Sequence, residues 1–159
     1  MYTLLETQLE TMAAGDEPAL SRLCNILALL YDQVPAISWC GLYLYQKDAP
    51  AAWLGPFQGK PACLLIPLGK GVVGTALATR TIQNVPDVHT FKGHIACDSA
   101  SRSELVIPLE DNGELLGVLD LDSDQPAAFE PALQQVCKKA AALLAPLVVP
   151  AFFRASKDQ

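Results

Sequence analysis

No Cys-x-x-Cys pair, no Gly-x-Ser-x-Gly turn and no unbroken apolar run of the ~18–20 residues that cross a bilayer occur in this chain. The first two absences remove the local signatures of zinc ribbons, dithiol oxidoreductases and nucleophile-elbow hydrolases. The longest apolar stretch, residues 140–153, is cut by Pro146 and Pro150 and reads as a core helix with its tail. Positive charge is scarce too. Lys and Arg number 11 against 17 Asp and Glu, a net charge of -6, so there is no cationic surface to neutralise phosphates. Neither nucleic acid nor an anionic membrane is an expected partner. Residues 1–20 hold Glu6, Glu10, Asp16 and Glu17 and no basic residue, the wrong charge for a secretory or mitochondrial leader, and a cytoplasmic location is expected. The five cysteines, Cys24, Cys40, Cys63, Cys97 and Cys137, are odd in number and widely spaced, which suits a reducing compartment better than a disulfide scaffold. What is abundant is hydrocarbon: 159 residues with 51% hydrophobic and 18% charged describe one domain with a packed core and exclude disorder.

Two helical patterns fill residues 1–32. Leu4, Leu5, Leu9 and Met12 give the first; Leu20, Leu23, Cys24, Leu27 and Leu30 give a cleaner stripe behind Pro18 and a cap expected at Asp16. From Ile37 to Tyr45 the residues alternate, with Trp39, Gly41, Tyr43 and Tyr45 on one face and Cys40, Leu42 and Leu44 on the other. Further strands are expected around Trp53, over residues 63–68 and over residues 82–85, with a brief helix ending at Thr79. Residues 86–103 lack periodicity and hold both histidines, Cys97 and three serines, and a loop of that length in a small domain points to function. Residues 104–110 and 115–122 are two strands joined by Asp111, Asn112 and Gly113, a strong hairpin signal. A last helix is expected from Pro131 to about Leu144, within a C-terminal helical segment placed at 130–149. The order predicts a single α+β domain over residues 1–159, its sheet over 36–123 mainly antiparallel, with helices packed on one face.

Several motifs compete. Residues 69–74 match the letters of the dinucleotide fingerprint, but a tight antiparallel hairpin does not suit a dinucleotide fold, and the glycines are expected to serve a strand-to-helix turn. Asp87, His89, His94 and Cys97 offer metal-ligand types at a spacing that matches no standard tetrahedral site. Cys97 lies among small and polar residues where Lys92, His94 and Arg102 would stabilise a thiolate; the competing reading is a buried loop cysteine. Cys63 is either a second redox thiol or a strand-end core residue, whereas Cys40 and Cys137 sit in apolar patterns as inert filler. Asp120 and Asp122 share one face of an otherwise apolar strand, and Glu104 opens the strand before it. Those acids either form a site or mark a solvated face.

The strings GPFQGKPAC (55–63), GKGVVGTA (69–76), VPDVH (85–89), GHIACDSAS (93–101) and GVLDLDS (117–123) together closely resemble the free methionine-(R)-sulfoxide reductases, enzymes of the GAF fold. The resemblance runs over residues 38–123. It implies that Cys97 is the catalytic nucleophile, that Cys63 resolves its oxidised form, and that Glu104, Asp120 and Asp122 bind substrate. Trp39, in SWCGLY (38–43), resembles a family strand and would form a pocket wall. One departure stands out: many members carry a third cysteine where this chain has Val73, which leaves Cys63 and Cys97 as the only redox pair.

The resemblance further implies that no cofactor is bound, that thioredoxin is the external reductant, and that free methionine-(R)-sulfoxide is the substrate. The residue types suit that chemistry. A sulfoxide sulfur is a good electrophile only when its oxygen is protonated or strongly hydrogen-bonded, so a thiolate and a proton donor are both needed. Carboxyls kept protonated by crowding would supply the proton, and the remaining carboxylate charge would hold the α-ammonium that a peptide-embedded methionine lacks. A noncatalytic GAF-type small-molecule sensor is the rival reading, because the fold hosts many functions. The apolar tail at 143–153 is a candidate homodimer face.

Overall fold

The alternation of apolar side chains in β1 (Trp39–Gln46) is the key to the architecture, because both of its faces are buried. Cys40 and Leu42 enter one core and Trp39 and Tyr43 the other. The computed structural model describes residues 1–95 and 100–153. Around β1 run β2 (Ala51–Gln58), β3 (Leu65–Pro67), β4 (Gln83–Val85), β5 (Ser103–Asp111) and β6 (Glu114–Ser123), in the spatial order β3-β2-β1-β6-β5-β4. Every neighbouring pair is antiparallel. The strand-crossover-strand unit of a dinucleotide fold is therefore not present among the described residues.

Helices α1 (Thr3–Ala13), α2 (Ala19–Gln33) and α4 (Pro131–Phe152) cover one face of the sheet, where Leu23, Leu27, Leu42, Leu119, Leu121 and Leu144 are buried together. Each such leucine contributes about 1.5–3 kcal/mol of burial. The fourth helix, α3 (Gly71–Thr79), lies on the other face with Val72, Val73 and Leu77 in the second core. The long helices thus share one face as the element order predicts, and the short one departs from that expectation by packing on the opposite face.

Two local expectations need adjustment. Asp16 does not cap α2, whose first turn follows Pro18 without a side-chain cap. Arg22 instead closes the α1–α2 turn by donating to the carbonyls of Ala13 and Glu17. The last helix passes Leu144 and both prolines, because Ala142, Pro146 and Pro150 lie one turn apart on an exposed face. There the carbonyls that lose an N–H partner remain open to water. By length and composition α4 would suffice to cross a membrane. In the fold its apolar stripe, from Leu133 to Val148, is buried in the core with α1 and α2. The same packing takes up much of the apolar tail considered as a dimer face, leaving Val149 and Phe153 exposed.

At the start of α4, Glu130 accepts hydrogen bonds from Ala132 N and Leu133 N, and Pro131 occupies the first helical position. The β5–β6 hairpin turns at Asn112 and Gly113, with φ of 50° and 78°, the left-handed pair that a type I′ turn requires.

Candidate functional site

A bulge builds the site. Next to the turn, Asp111 pairs with Glu114 and Glu110 with Leu115, but the next pair is Leu109 with Gly117, so Leu116 is an extra residue in β6. That single insertion shifts the register by one and changes which β6 side chains face which core. Beyond it Leu119 and Leu121 enter the helical core, while Val118, Asp120 and Asp122 face α3. Glu104 consequently stands directly opposite Asp122, whereas an unbroken ladder would have placed it opposite Leu121. Gly117 makes the irregularity possible: its φ is 152°, and a Cβ there would collide with the Tyr43 carbonyl oxygen and lie 3.1 Å from Leu44 Cα. Gly117→Ala should destabilise the fold by about 1–3 kcal/mol, measured by urea unfolding, and should lower activity along with it by disturbing the acid register.

The three acids converge. Glu104, Asp120 and Asp122 each offer a carboxylate oxygen within 4.8 Å of the others. Only 6% of Glu104 and 5% of Asp120 is exposed, so the solvated-face reading fails for this pair. Like charges opposed in a buried site cannot all ionise. Burial, and then the charge of Asp122, pushes the Glu104 carboxyl up to about 8. Burial and Glu104 hold Asp120 well above the ordinary carboxylate range, and Asp120 shares a side-chain hydrogen bond with Glu104. The Oδ1 atom of Asp120 is buried and has no hydrogen-bond partner among the described residues. A buried acceptor without a donor is costly. A ligand with N–H groups would satisfy it. A hard cation could also share the trio, but the proton held by Glu104 near neutrality competes with it.

These acids line an open cavity together with Trp39, Lys60, Lys70 and Val73. Trp39 is buried, stacks on Phe57 at 5.4 Å between ring centres, and donates from Nε1 to the Lys60 carbonyl at 2.9 Å. The residues of the first turn of α3, Gly71 to Val73, also line the cavity, and no side chain caps this helix. Their backbone N–H groups and the helix dipole favour an anionic group. The place of the expected third cysteine is hydrocarbon, since Val73 is buried in the second core.

Among the described residues, the metal-type side chains of the 86–103 segment do not gather. Asp87 Oδ1 accepts from His89 N at 3.0 Å, capping the short 3-10 turn Val88–Thr90, and His89 is exposed. His94 turns inward, placing Nε2 3.7 Å from Glu104 Oε2, and burial lowers its pKa. Among the described cysteines, Cys63 is disulfide-bonded whereas Cys24, Cys40 and Cys137 are free. Cys97 lies outside the described residues. Burial pushes the Cys137 thiol up to about 12 and holds Cys40 well above the ordinary value, so neither forms a thiolate near neutral pH.

Comparison with known proteins agrees with this architecture. The GAF domain family matches residues 19–147. The chain is 43% identical over 156 residues to the free methionine-R-sulfoxide reductase of Escherichia coli, covering 96% of this chain and 93% of that one. It is 44% identical over 141 residues to the enzyme of the same name from Saccharomyces cerevisiae, covering 85% and 78% of the two chains. The chain belongs to the free methionine-R-sulfoxide reductase family. The crystal structure of a Neisseria meningitidis free methionine-R-sulfoxide reductase, solved with its substrate, superimposes with a TM-score of 0.87 at 35% identity, covering 94% of this chain and 89% of that one.

Within this reductase the fold gathers Trp39, Glu104, Asp120 and Asp122 around one cavity. Sequence reasoning missed three participants. The contact of His94 with Glu104 has no signal in the sequence. The α3 backbone amides carry no side-chain signal. Tyr43, whose hydroxyl donates to the Cys63 carbonyl at 2.8 Å, shares the β1 face of Trp39, a clue that period-two alternation already contained.

Proposed function

We propose that this chain reduces free L-methionine-(R)-sulfoxide to L-methionine. The observation that carries the reading is the buried Asp120 Oδ1 within the acid trio, without a hydrogen-bond partner among the described residues, in a cavity that an uncapped helix N-terminus also lines. Such a cavity offers acceptors to an ammonium and donors to a carboxylate, the two groups that only a free amino acid presents together. Asp120 Oδ1 and Asp122 receive the ammonium, and the α3 amides with Lys70 receive the carboxylate. Glu104, protonated near neutrality, donates to the sulfoxide oxygen. The Cys97 thiolate attacks the sulfur, which is reduced by two electrons to the thioether as Cys97 is oxidised to the sulfenic acid. The Cys63 thiol then displaces the hydroxyl as water, giving a disulfide that thioredoxin reopens in the reducing cytoplasm. That Cys63, alone among the described cysteines, is disulfide-bonded supports its redox role.

The deciding assay measures methionine release from separated R and S sulfoxides, free and peptide-embedded, with thioredoxin recycling. Turnover confined to the free R form is expected. Equal turnover of a peptide-embedded sulfoxide would remove the role given to the ammonium and carboxylate contacts. Free thiols counted after addition of the sulfoxide separate an enzyme, which loses two per chain, from a GAF sensor, which loses none.

A further inference from the structure

The segment that joins β2 to β3 carries Cys63. Gly59 turns it with a φ of 120°, Pro61 has no N–H, and the first ladder bond beyond β2 is Leu54 N to the Leu64 carbonyl at 3.0 Å. Two side chains of β1 fasten it. Trp39 Nε1 donates to the Lys60 carbonyl at 2.9 Å, and the Tyr43 hydroxyl donates to the Cys63 carbonyl at 2.8 Å. Their rings stack with centres 6.1 Å apart, and Tyr43 is only 2% exposed, so the two donors form one rigid support. We propose that Tyr43 is the positioning residue of the resolving cysteine: its hydroxyl fixes the peptide that carries the Cys63 sulfur where that sulfur can close on an oxidised partner. This inference rests on the resolving role of Cys63 proposed above. Burial, followed by the charges of Asp120, Asp122 and Glu104, raises the Tyr43 pKa, so the phenol remains a donor throughout the working pH range.

The step it serves balances without an outside reagent. The Cys63 thiol and the Cys97 sulfenic acid give a disulfide, and the thiol proton leaves with the hydroxyl as water. Its rate depends on effective concentration, which a misplacement of about 1 Å can lower by as much as about a hundredfold. Tyr43→Phe keeps the ring packing and removes only the donor. After one turnover of free sulfoxide, disulfide formation should slow by about tenfold to a hundredfold, while a dimedone-type probe captures the accumulated sulfenic acid. Turnover with thioredoxin should fall, and excess dithiothreitol, which reduces the sulfenic acid directly, should restore it. The ratio of these two rates is read in one preparation, so a general loss of stability does not mimic it. Disulfide formation at the wild-type rate, or equal loss with both reductants, overturns the proposal. If Cys63→Ser cycles normally with thioredoxin, it is the resolving assignment that fails.

Discussion

Cys97→Ser should abolish methionine formation from the free R sulfoxide, with a loss on the order of 10³-fold or more. A serine hydroxyl is not ionised near neutral pH and is a poor nucleophile toward sulfur, and none of the other four cysteines lines the cavity. Cys40 and Cys137 are buried with raised pKa values, and Val73 offers only hydrocarbon at the cavity wall. The companion variant separates the two sulfurs. Reduced Cys63→Ser should release about one methionine per enzyme and then stall with thioredoxin, because the sulfenic acid forms but finds no internal thiol. Methionine release by each variant, with and without reductant, checks both statements. Undiminished turnover by Cys97→Ser would end the nucleophile assignment, and undiminished cycling by Cys63→Ser would end the resolving one. Native thiol titration is readable here because the buried cysteines react slowly.

Much of this arrangement was legible in the chain. The alternation from Ile37 to Tyr45 assigns Trp39 and Tyr43 to one face and Cys40 and Leu42 to the other, and the structure keeps that division. Asn112 and Gly113 announce the hairpin, and period two puts Asp120 and Asp122 on one side. What could not be read was their partner. Counting back from the turn without interruption places Glu104 opposite Leu121; the extra residue at Leu116 moves it opposite Asp122. A bulge is a tertiary compromise, and a glycine in a strand is compatible with several outcomes besides one. His94 shows the same limit: that it meets Glu104 is decided by the chain path, which no local pattern carries. The continuation of α4 past Pro146 depends on which face of the helix meets water, information that no local propensity carries.

Glu104→Gln should make the protein more stable and much less active, and the two effects should separate with pH. The folded-state pKa of Glu104 rises from an ordinary 4.5 to about 8, chiefly through burial. Between those values the folded state binds a proton that the unfolded chain has released, so wild-type stability falls as pH rises through the window and levels off above about 8. The slope from one such group is at most about 1.4 kcal/mol per pH unit. Glutamine keeps the shape and a hydrogen-bonding end toward Asp120 but has nothing to ionise. Its advantage over the wild type should therefore be near zero in acid and grow with pH, which urea unfolding at a series of pH values would measure in the reduced protein. A constant difference would mean that Glu104 titrates normally in the fold. Without the donor, kcat/KM should drop by about 10²- to 10⁴-fold, and the wild-type alkaline limb near pH 8 should disappear from the residual activity. A site that holds a carboxylic acid uncharged among two other acids sacrifices stability to keep one proton available, and removing the proton is what reveals both halves of that exchange.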